Sequence, residues 1–299
     1  MKKFFVTLVA IGLISGIVNA QKIYVRLGAG GGIGLKQYGS LVIPDDYYTT
    51  KYAGDHTHAT WADITTTDKA QNVEMKSMGL GGGFNVNLDL GYMLSKYIGI
   101  ELGVNEYIGL SNKVHYSETH STSNYSSTTD NKLSGMMLQV VPAIVITAGL
   151  ETLNPYARLG MIIGVMPSVT EKNSSTSTYT SPALKATSSS ESVMKMSGGV
   201  ALGFTAAAGA EYQLGEKLGL FAELVYNGIT YSPSKGKYKT YTLDGDDILS
   251  GATTRDKEWT YEKKFDSKEV TPYDSPSILP KMTLEFSNVE LNIGVKVKF

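Results

Sequence analysis

The sequence predicts an all-β fold, an eight-stranded antiparallel up-and-down transmembrane β-barrel with long loops on one rim. Two observations predict this fold: eight segments alternate between apolar and polar residues, and the connections between them alternate between long and short. A period of two places successive side chains on opposite faces of an extended chain, so each segment has one apolar and one polar face. A third observation, an N-terminus that is first basic and then apolar, indicates export.

The composition narrows the functional classes. The chain has 299 residues and a net charge of -1, so no overall positive field would attract nucleic acid. Cysteine is absent, which excludes disulfides, thiolate metal ligands and a cysteine nucleophile. The 32 glycines and 19 tyrosines favour strands and turns over helices. We therefore expect a β protein with no nucleic-acid partner.

The N-terminus is organised as a signal peptide. Two lysines form its basic region, an apolar core covers residues 4–18, and cleavage is predicted after Ala20. The apolar core is shorter than the roughly 20 residues that an uncleaved membrane helix needs. We therefore predict a signal peptide over residues 1–20 and a barrel domain over residues 21–299.

The first four strands differ in how clearly they alternate. Three of them carry one regular apolar face each, formed by Ile23, Val25, Leu27 and Ala29, then by Met78, Leu80, Phe84, Val86, Leu88, Leu90 and Tyr92, then by Ile98, Ile100, Leu102 and Val104. The fourth, residues 136–148, is apolar on both faces and contains Pro142, which removes a ladder donor. We retain this segment as the fourth strand.

The other four strands repeat the pattern. Their apolar faces carry Ala157, Leu159, Met161, Ile163 and Val165, then Val200, Leu202, Phe204, Ala206, Ala208 and Tyr212, then Leu218, Leu220, Ala222, Leu224 and Tyr226, and finally every odd residue from Val289 to Phe299. The last strand alternates without an error and ends on an aromatic residue. Its polar face carries Glu290, Lys296 and Lys298.

The connections between the predicted strands alternate strictly in length. The long ones cover residues 36–75, 111–133, 167–195 and 232–283, and the short ones cover residues 94–96, 151–154 and 215–217. All long loops therefore leave one end of the sheet. This distribution and an even strand count are typical of transmembrane barrels, in which long loops are external and short turns periplasmic. Closure is required because an open sheet edge in lipid leaves backbone groups unpaired.

The eight alternating strands, the leader and the terminal Val295-x-Val297-x-Phe299 resemble the small bacterial outer-membrane β-barrel proteins of the OmpA/OmpX type. The glycine-rich character is similar to barrels of Bacteroidota-like bacteria. The resemblance implies location in the cell outer membrane of a Gram-negative bacterium, with outer-membrane lipid and the barrel-assembly machinery as partners. It also implies that Val295, Val297 and Phe299 form the assembly signal. The long loops depart from the most compact members of this group.

Charged residues cluster on the inward faces of the predicted strands. Arg26, Arg158, Lys296 and Lys298 are basic, and Asp89, Glu101, Glu211, Glu223 and Glu290 are acidic. Buried charges must pair, because an isolated one costs several kcal/mol. We expect a structural network that fills the lumen, since an eight-stranded barrel is only wide enough for its own side chains. The alternative is an ion path or gate. Of the last strand, Glu290 and Lys296 are expected to join the network.

The candidates for catalysis and metal binding lie in predicted loops. The segment from His115 to Glu118 contains the histidine, serine and glutamate of a hydrolase set. A nucleophile, however, needs a base held in place by a third group, and no strand is predicted there to hold it. The pair His56 and His58 and the acidic run 244–247 each lack a complete metal ligand set. We therefore expect no catalytic residue, no cofactor and no metal ion.

The long loops contain serine- and threonine-rich stretches and a group of aromatic residues. Residues 173–180 and 187–192 are rich in serine and threonine, cannot bury a core and are expected to be mobile. Aromatic residues recur in the fourth loop, at Tyr238, Tyr241, Trp259, Tyr261 and Tyr273. Two interpretations stay open: these residues anchor a partner, or they extend the strands into a small sheet above the membrane.

These patterns predict a non-enzymatic barrel with a structural or surface-interaction role. Its four loops would face an extracellular ligand that the sequence does not identify. The first alternative is a narrow or gated channel that uses the inward carboxylates. The second is a lipid-modifying enzyme, because some small outer-membrane barrels that resemble this chain modify lipid.

Overall fold

The computed structural model describes residues 22–35, 62–75, 79–122, 124–181, 184–263 and 272–299. The predicted signal peptide lies outside these ranges, as do His56 and His58. Within the described ranges the chain is strands and turns with one short helix. None of its described helical residues belongs to a helix long and apolar enough to cross a membrane.

The elements follow one another with few interruptions. They are β1 (Ile23–Gly34), β2 (Ala62–Thr67), β3 (Gln71–Met75), β4 (Gly83–Met93), β5 (Ile98–Gly109), β6 (Asn112–His120), β7 (Tyr125–Thr147), β8 (Leu153–Ser181), β9 (Leu184–Ser197), β10 (Ala201–Gln213), β11 (Leu218–Tyr231), β12 (Lys235–Leu243), β13 (Asp246–Asp247), α1 (Thr254–Lys257), β14 (Glu258–Glu262), β15 (Ser277–Pro280), β16 (Leu284–Glu285) and β17 (Asn288–Lys298). Among these strands the pairings are antiparallel, except that β2 runs parallel to β6 and β14 to β15. The prediction of an all-β, mostly antiparallel fold is confirmed.

Eight of the strands form a closed ring in which each pairs with two neighbours. The order around the ring is β1, β4, β5, β7, β8, β10, β11 and β17, and β17 pairs back to β1. The closing register runs from Tyr24 opposite Lys298 to Gly34 opposite Asn288. Closure gives hydrogen-bond partners to backbone groups that an open sheet leaves unpaired at its edges.

The ring separates the two faces of each strand as the alternation predicts. In β11, Phe221 and Val225 are buried inside the ring, whereas Leu220 and Leu224 point outward and are 44% and 58% exposed. Exposed leucine, isoleucine, valine and phenylalanine side chains recur on the outer faces of the other ring strands. The outside of the ring is therefore an apolar belt, much larger than the patches that a monomeric soluble protein exposes.

Strand β7 shows how two apolar faces are accommodated. Val141 and Val145 are buried in the ring, and Ile144 and Ile146 are exposed on the belt. Pro142 also points outward, opposite Leu102 of β5. The pairing with β8 is interrupted at residues 141 and 142, because proline has no N–H group to donate.

The short connections join β4 to β5, β7 to β8 and β10 to β11 at one end of the ring. In the first, the Ser95 hydroxyl accepts hydrogen bonds from the backbone N–H groups of Tyr97 at 3.2 Å and Ile98 at 3.1 Å. In the second, Gly149 has φ of 69°, a conformation that favours glycine. The long connections leave the opposite end of the ring.

The long connections continue the ring strands, so the prediction of mobile loops in residues 173–180 and 187–192 is wrong. Strand β7 has 23 residues and β8 has 29. Beyond the ring, β8 pairs with β9 from Asn173 opposite Ser192 to Thr180 opposite Lys185. The prediction considered only side-chain burial, whereas ladder hydrogen bonds propagate from the ordered ring strands and threonine favours a strand.

These extensions form one sheet beyond the ring, which we call the external sheet. Its order is β3, β2, β6, the outer parts of β7 and β8, then β9, β12, β14 and β15. Tyr238 and Tyr241 lie on β12, and Trp259 and Tyr261 lie on β14. Of the two interpretations of these aromatic residues, extension of the strands into a sheet is the one that the structure shows. Tyr273 lies outside the strands and is 66% exposed.

The main hydrophobic core lies where the ring meets the external sheet. We call it the apolar cap; its residues are Leu80, Tyr107, Leu133, Met137, Val141, Ile162, Val169, Met194, Met196, Ala201, Ile229, Tyr231, Trp259, Tyr261, Leu284 and Phe286. Phe286 is 1% exposed and packs edge-on against Tyr107 and Tyr231, with centroids 6.1 Å away in both pairs. The cap therefore closes the end of the ring beside this sheet with large side chains.

Candidate functional site

The interior of the ring holds a cluster of charged side chains around Arg26. Its Nη1 donates to Glu101 Oε1 at 3.3 Å, and its Nη2 donates to Glu223 Oε2 and to the Tyr156 hydroxyl, both at 2.8 Å. The guanidinium lies over the Phe221 ring, 4.0 Å from its centroid, an arrangement that favours a cation. Arg26 therefore has partners from three other strands of the ring.

Arg158 of β8 completes the cluster from the opposite side. Its Nη2 donates to Glu223 Oε1 at 2.6 Å, and its Nη1 lies 3.6 Å from both Glu101 Oε2 and Asp89 Oδ1. All five side chains are at most 7% exposed. Two guanidinium groups thus neutralise most of the charge of three carboxylates in a buried site. Removal of one partner would leave an uncompensated buried charge, which is strongly destabilising.

A second ion cluster lies at the end of the ring with the short connections. Lys296 Nζ lies 2.7 Å from Glu211 Oε2, and Lys298 Nζ lies 2.9 Å from Glu211 Oε1. Lys296 also lies over the Tyr24 ring, 4.0 Å from the centroid. Lys298 donates to Gln213 Oε1 at 2.5 Å. The last strand therefore supplies both cations of this cluster, as its polar face suggested.

Glu290 is placed inside the ring and forms no salt bridge with a cation of the described residues. It accepts hydrogen bonds from Asn85 Nδ2 and Asn288 Nδ2, both at 2.7 Å. Lys296 is six residues further along the same strand, which is about 20 Å at the rise of a strand. Both residues were predicted to join the lumen network. Glu290 is held by hydrogen bonds from amide groups, whereas Lys296 pairs with Glu211.

Sequence reasoning overlooked two tyrosines as members of the cluster. The Tyr24 hydroxyl donates to Glu101 Oε1 at 2.8 Å, and the Tyr156 hydroxyl donates to Glu223 Oε2 at 2.9 Å. Both tyrosines occupy inward positions in the alternation of their strands, and this position is the signal in the sequence that could have identified them. Their role depends on cross-ring distances that no local pattern contains.

The space left between these side chains is small. One cavity of about 10 Å³ is lined by residues that include Arg26, Glu101 and Lys296. A second, of about 30 Å³, lies between Arg158 and Glu290. Cavities of this size hold on the order of one or two water molecules. The described residues therefore fill the ring interior from the ion clusters to the apolar cap.

The candidate hydrolase set is held on a strand after all, but its members do not meet. His115 Nδ1 lies 2.9 Å from Asp130 Oδ1, and the Ser117 hydroxyl donates to Thr65 Oγ1 at 3.2 Å. Glu118 lies on the other face of β6, where its Oε1 is 2.5 Å from His120 Nε2. The expectation of a loop without a strand was wrong because β6 pairs with β7 along its whole length.

His120 forms a bridge across the external sheet. Its Nε2 contacts Glu118, and its Nδ1 lies 3.0 Å from Asp68 Oδ1 in the turn between β2 and β3. These two hydrogen bonds raise the pKa of His120, and the one with Glu118 has the larger effect. The pKa of Asp68 is lowered to about 2. The hydrogen bond from the Ser121 hydroxyl has the largest effect, and the hydrogen bond with His120 adds to it. The bridge therefore joins the His120 ring to two carboxylates, and both contacts favour its protonated form.

The acidic run 244–247 serves a turn. Asp244 Oδ1 accepts a hydrogen bond from Ser189 N at 2.6 Å, and Asp247 Oδ1 accepts one from Leu249 N at 2.9 Å. Among the described residues, no group of three histidine or acidic side chains could hold a metal ion. His56 and His58, which lie outside those residues, are not part of that statement.

The sequence matches the family model described as outer membrane protein beta-barrel domain, over residues 6–252. The chain belongs to this family. Family membership implies location in the outer membrane. No curated protein matches the sequence.

The chain is similar to solved structures that include the following two. Ail, the attachment invasion locus protein of Yersinia pestis, is 10% identical, with 93% of this chain and 97% of that chain covered and a TM-score of 0.28. CarO2 of Acinetobacter baumannii is 13% identical, with 92% and 99% covered and a TM-score of 0.23. TM-scores this low permit no comparison of individual residues.

The outer face of this outer-membrane β-barrel family member carries aromatic residues at the end with the short connections. Tyr97, Tyr212 and Phe299 are 55%, 50% and 46% exposed there. Aromatic girdles of this kind lie at the membrane interface of transmembrane barrels. Val295 and Val297 point outward from the same strand, opposite Leu27 and Val25 of β1. Phe299 donates its N–H to Ile23 O at 3.0 Å, so the C-terminal residue takes part in closing the ring.

Proposed function

We propose that the protein is a non-enzymatic, eight-stranded outer-membrane β-barrel with a filled lumen, and that its role is structural or lies in surface interaction through the external sheet. One observation carries the proposal: the ring interior is occupied by paired charges and closed by the apolar cap, whereas the strands continue into a large polar sheet. A filled interior favours a scaffold over a pore.

The apolar belt supports the transmembrane part of this proposal. On β5 the outward residues from Ile98 to Ile108 are apolar except Glu106, and Ile98 and Ile108 are both about half exposed. Ten residues cover about 33 Å along a strand, which is about 25 Å along the membrane normal at a tilt of about 40°. This is the height of the apolar band of transmembrane barrels, so outer-membrane lipid is the expected partner of the belt.

The terminal strand supports assembly by the barrel-assembly machinery. Val295, Val297 and Phe299 present one apolar stripe on the outer face of the strand that closes the ring. A stripe on the closing strand is accessible before the ring closes and covered by lipid afterwards. We propose that these three residues are the assembly signal.

The topology can be tested by cysteine labelling, since the native chain contains no cysteine. Ala186→Cys places a thiol at an exposed position of β9, and Glu216→Cys places one in the exposed turn between β10 and β11. A membrane-impermeant maleimide should label the first variant in intact cells and the second only after permeabilisation. Labelling of Glu216→Cys in intact cells would contradict the external position of the sheet.

The lipid-modifying alternative has its own test. Mass spectrometry of lipid A from cells with the native protein, with His115→Ala and without the protein should give identical spectra. A species that depends on the protein and disappears in His115→Ala would replace the structural role by catalysis.

A further inference from the structure

The external sheet carries a row of lysines just beyond the apolar belt. Lys113 of β6 stands directly opposite Lys132 of β7, and Lys132 stands directly opposite Lys172 of β8. All three side chains are exposed. Directly opposite residues have Cβ atoms about 5 Å apart, and like charges in these positions destabilise a sheet. An arrangement that costs stability indicates a ligand that supplies negative charge.

The lysine row faces the same way as the apolar belt. In β7 the outward residues have even numbers, so Lys132 is on the face of Met136, Ile144 and Ile146. Lys132 lies four residues beyond Met136, which is about 13 Å along the strand and about 10 Å along the membrane normal. Lipid headgroups extend about 5–8 Å beyond the hydrocarbon on each side. Long lysine stems reach back over that difference.

The charges around the row leave it positive. On the same face Asp130 precedes Lys132 by two residues. Its Oδ1 lies 2.9 Å from His115 Nδ1, and its carboxylate also interacts electrostatically with Lys113 and Lys132, so one negative charge stands beside three positive ones. Among the described residues, no carboxylate forms a salt bridge with any of the three lysines. Towards β12 the positive face continues, because Lys195 stands opposite Lys237; there Glu258 opposes Lys237 from the other side.

We infer that Lys113, Lys132 and Lys172 bind phosphate groups of anionic lipid in the external leaflet. The inference rests on the proposed function, since it requires the belt to lie in a membrane. The occupant is a lipid rather than free phosphate, because the row is continuous with a surface that contacts acyl chains. Lysine is suited to this contact, since a compact ammonium accommodates phosphates in several orientations.

The test uses the full chain folded in detergent micelles. Bound lipid is counted by native mass spectrometry, with phosphatidic acid and phosphatidylcholine of identical acyl chains as probes. The native protein should prefer phosphatidic acid, and Lys113→Gln/Lys132→Gln/Lys172→Gln should lower that preference by about a hundredfold at low salt, since each lysine near an anionic surface contributes roughly 1 kcal/mol.

A matched control removes the same charge elsewhere. Lys69→Gln/Lys185→Gln/Lys239→Gln changes three exposed lysines outside the row and should keep the native preference. A native-like preference in the first triple variant, or no preference in the native protein, would overturn the inference. Competition by millimolar inorganic phosphate that is as strong as that by phosphatidic acid would also overturn it.

Folding is followed separately by heat-modifiable gel migration. A native chain that does not show it contradicts the proposed barrel, whereas a heat-modifiable chain without lipid preference contradicts the lysine row alone. If the triple variant fails to fold, Lys132→Gln and a salt titration of the native protein take its place. The native preference must then fall as salt rises from about 50 mM to about 500 mM, because exposed charges are screened.

Discussion

Replacing Glu223 by glutamine removes the carboxylate that two buried arginines share. Glu223 Oε2 accepts hydrogen bonds from Arg26 at 2.8 Å and Tyr156 at 2.9 Å, and its Oε1 accepts one from Arg158 at 2.6 Å. The carboxylate is completely buried. Glutamine has nearly the same shape, so Glu223→Gln changes charge with little change in packing. One amide N–H₂ group would then face a guanidinium.

The expected loss of stability is about 3–5 kcal/mol, the usual result of removing one partner of a buried ion pair. It corresponds to a change of about a hundredfold to several thousandfold in the unfolding equilibrium constant. Glu101 and Asp89 remain near the arginines, at 3.3–3.6 Å, and compensate part of the charge. We therefore expect the lower half of the range.

The measurement is guanidinium unfolding of the protein in lipid vesicles. Tryptophan fluorescence reports the transition, because Trp259 is buried in the apolar cap. The midpoint gives the change in stability if the slope with denaturant stays constant. Heat-modifiable migration checks that the variant is folded before the titration.

Glu290→Gln is the matched control, since Glu290 is equally buried but hydrogen-bonded to Asn85 and Asn288. Its loss should be about 1 kcal/mol, as for a single hydrogen bond. Equal losses for Glu223→Gln and Glu290→Gln would refute the reasoning, because the stability would then not depend on the arginine pairing.

Four further outcomes are expected. Phe286→Ala should cost about 3–5 kcal/mol in the same unfolding assay, because it opens a cavity in the apolar cap; a loss below 1 kcal/mol would show that the cap is loosely packed. Because the pKa of His120 is raised by Glu118 and then Asp68, its bridge should be complete below the ordinary histidine pKa near 6.5 and weaken as pH rises through the raised value. Amide hydrogen exchange at residues 118–122, corrected for its intrinsic pH dependence, should become faster as pH rises through that value. This pH dependence should be absent in His120→Gln. Exchange in the native protein that does not change with pH would contradict the prediction. Deletion of Phe299 should lower the yield of heat-modifiable protein in the membrane, and a normal yield would argue against an assembly signal. In planar bilayers the purified protein should be electrically silent, whereas a steady conductance that changes in Glu223→Gln would favour the gated channel.

Local patterns predicted much of the ring. Alternation with a period of two follows from strand geometry alone, so it places Leu220, Phe221 and Glu223 on their correct faces without knowledge of any neighbour. The order of long and short connections likewise predicts which end of the ring carries the external sheet. The same approach failed for residues 173–180, because their stability comes from β7 and β9 and not from their own composition.

The sequence alone did not identify the partners of the inward charges. Arg26 is 197 positions from Glu223 and 75 from Glu101, yet all three meet in the ring interior. Glu290 and Lys296 share one face of β17, yet amide groups hold Glu290 and Glu211 pairs with Lys296. Strand register and ring closure set these distances, and neither can be derived from the sequence of a single strand.

By itself, the sequence determined that the chain is a β protein with one-sided strands, long connections at one end and ionisable groups on the inward faces, because each of these features depends only on residue type and a period of two. The tertiary structure alone decided that Arg26 and Arg158 share Glu223, that Glu290 is held by amides, and that three lysines stand in one row. The reason is that closing the ring brings distant strands to within a few ångströms, where charge and hydrogen bonding depend on register.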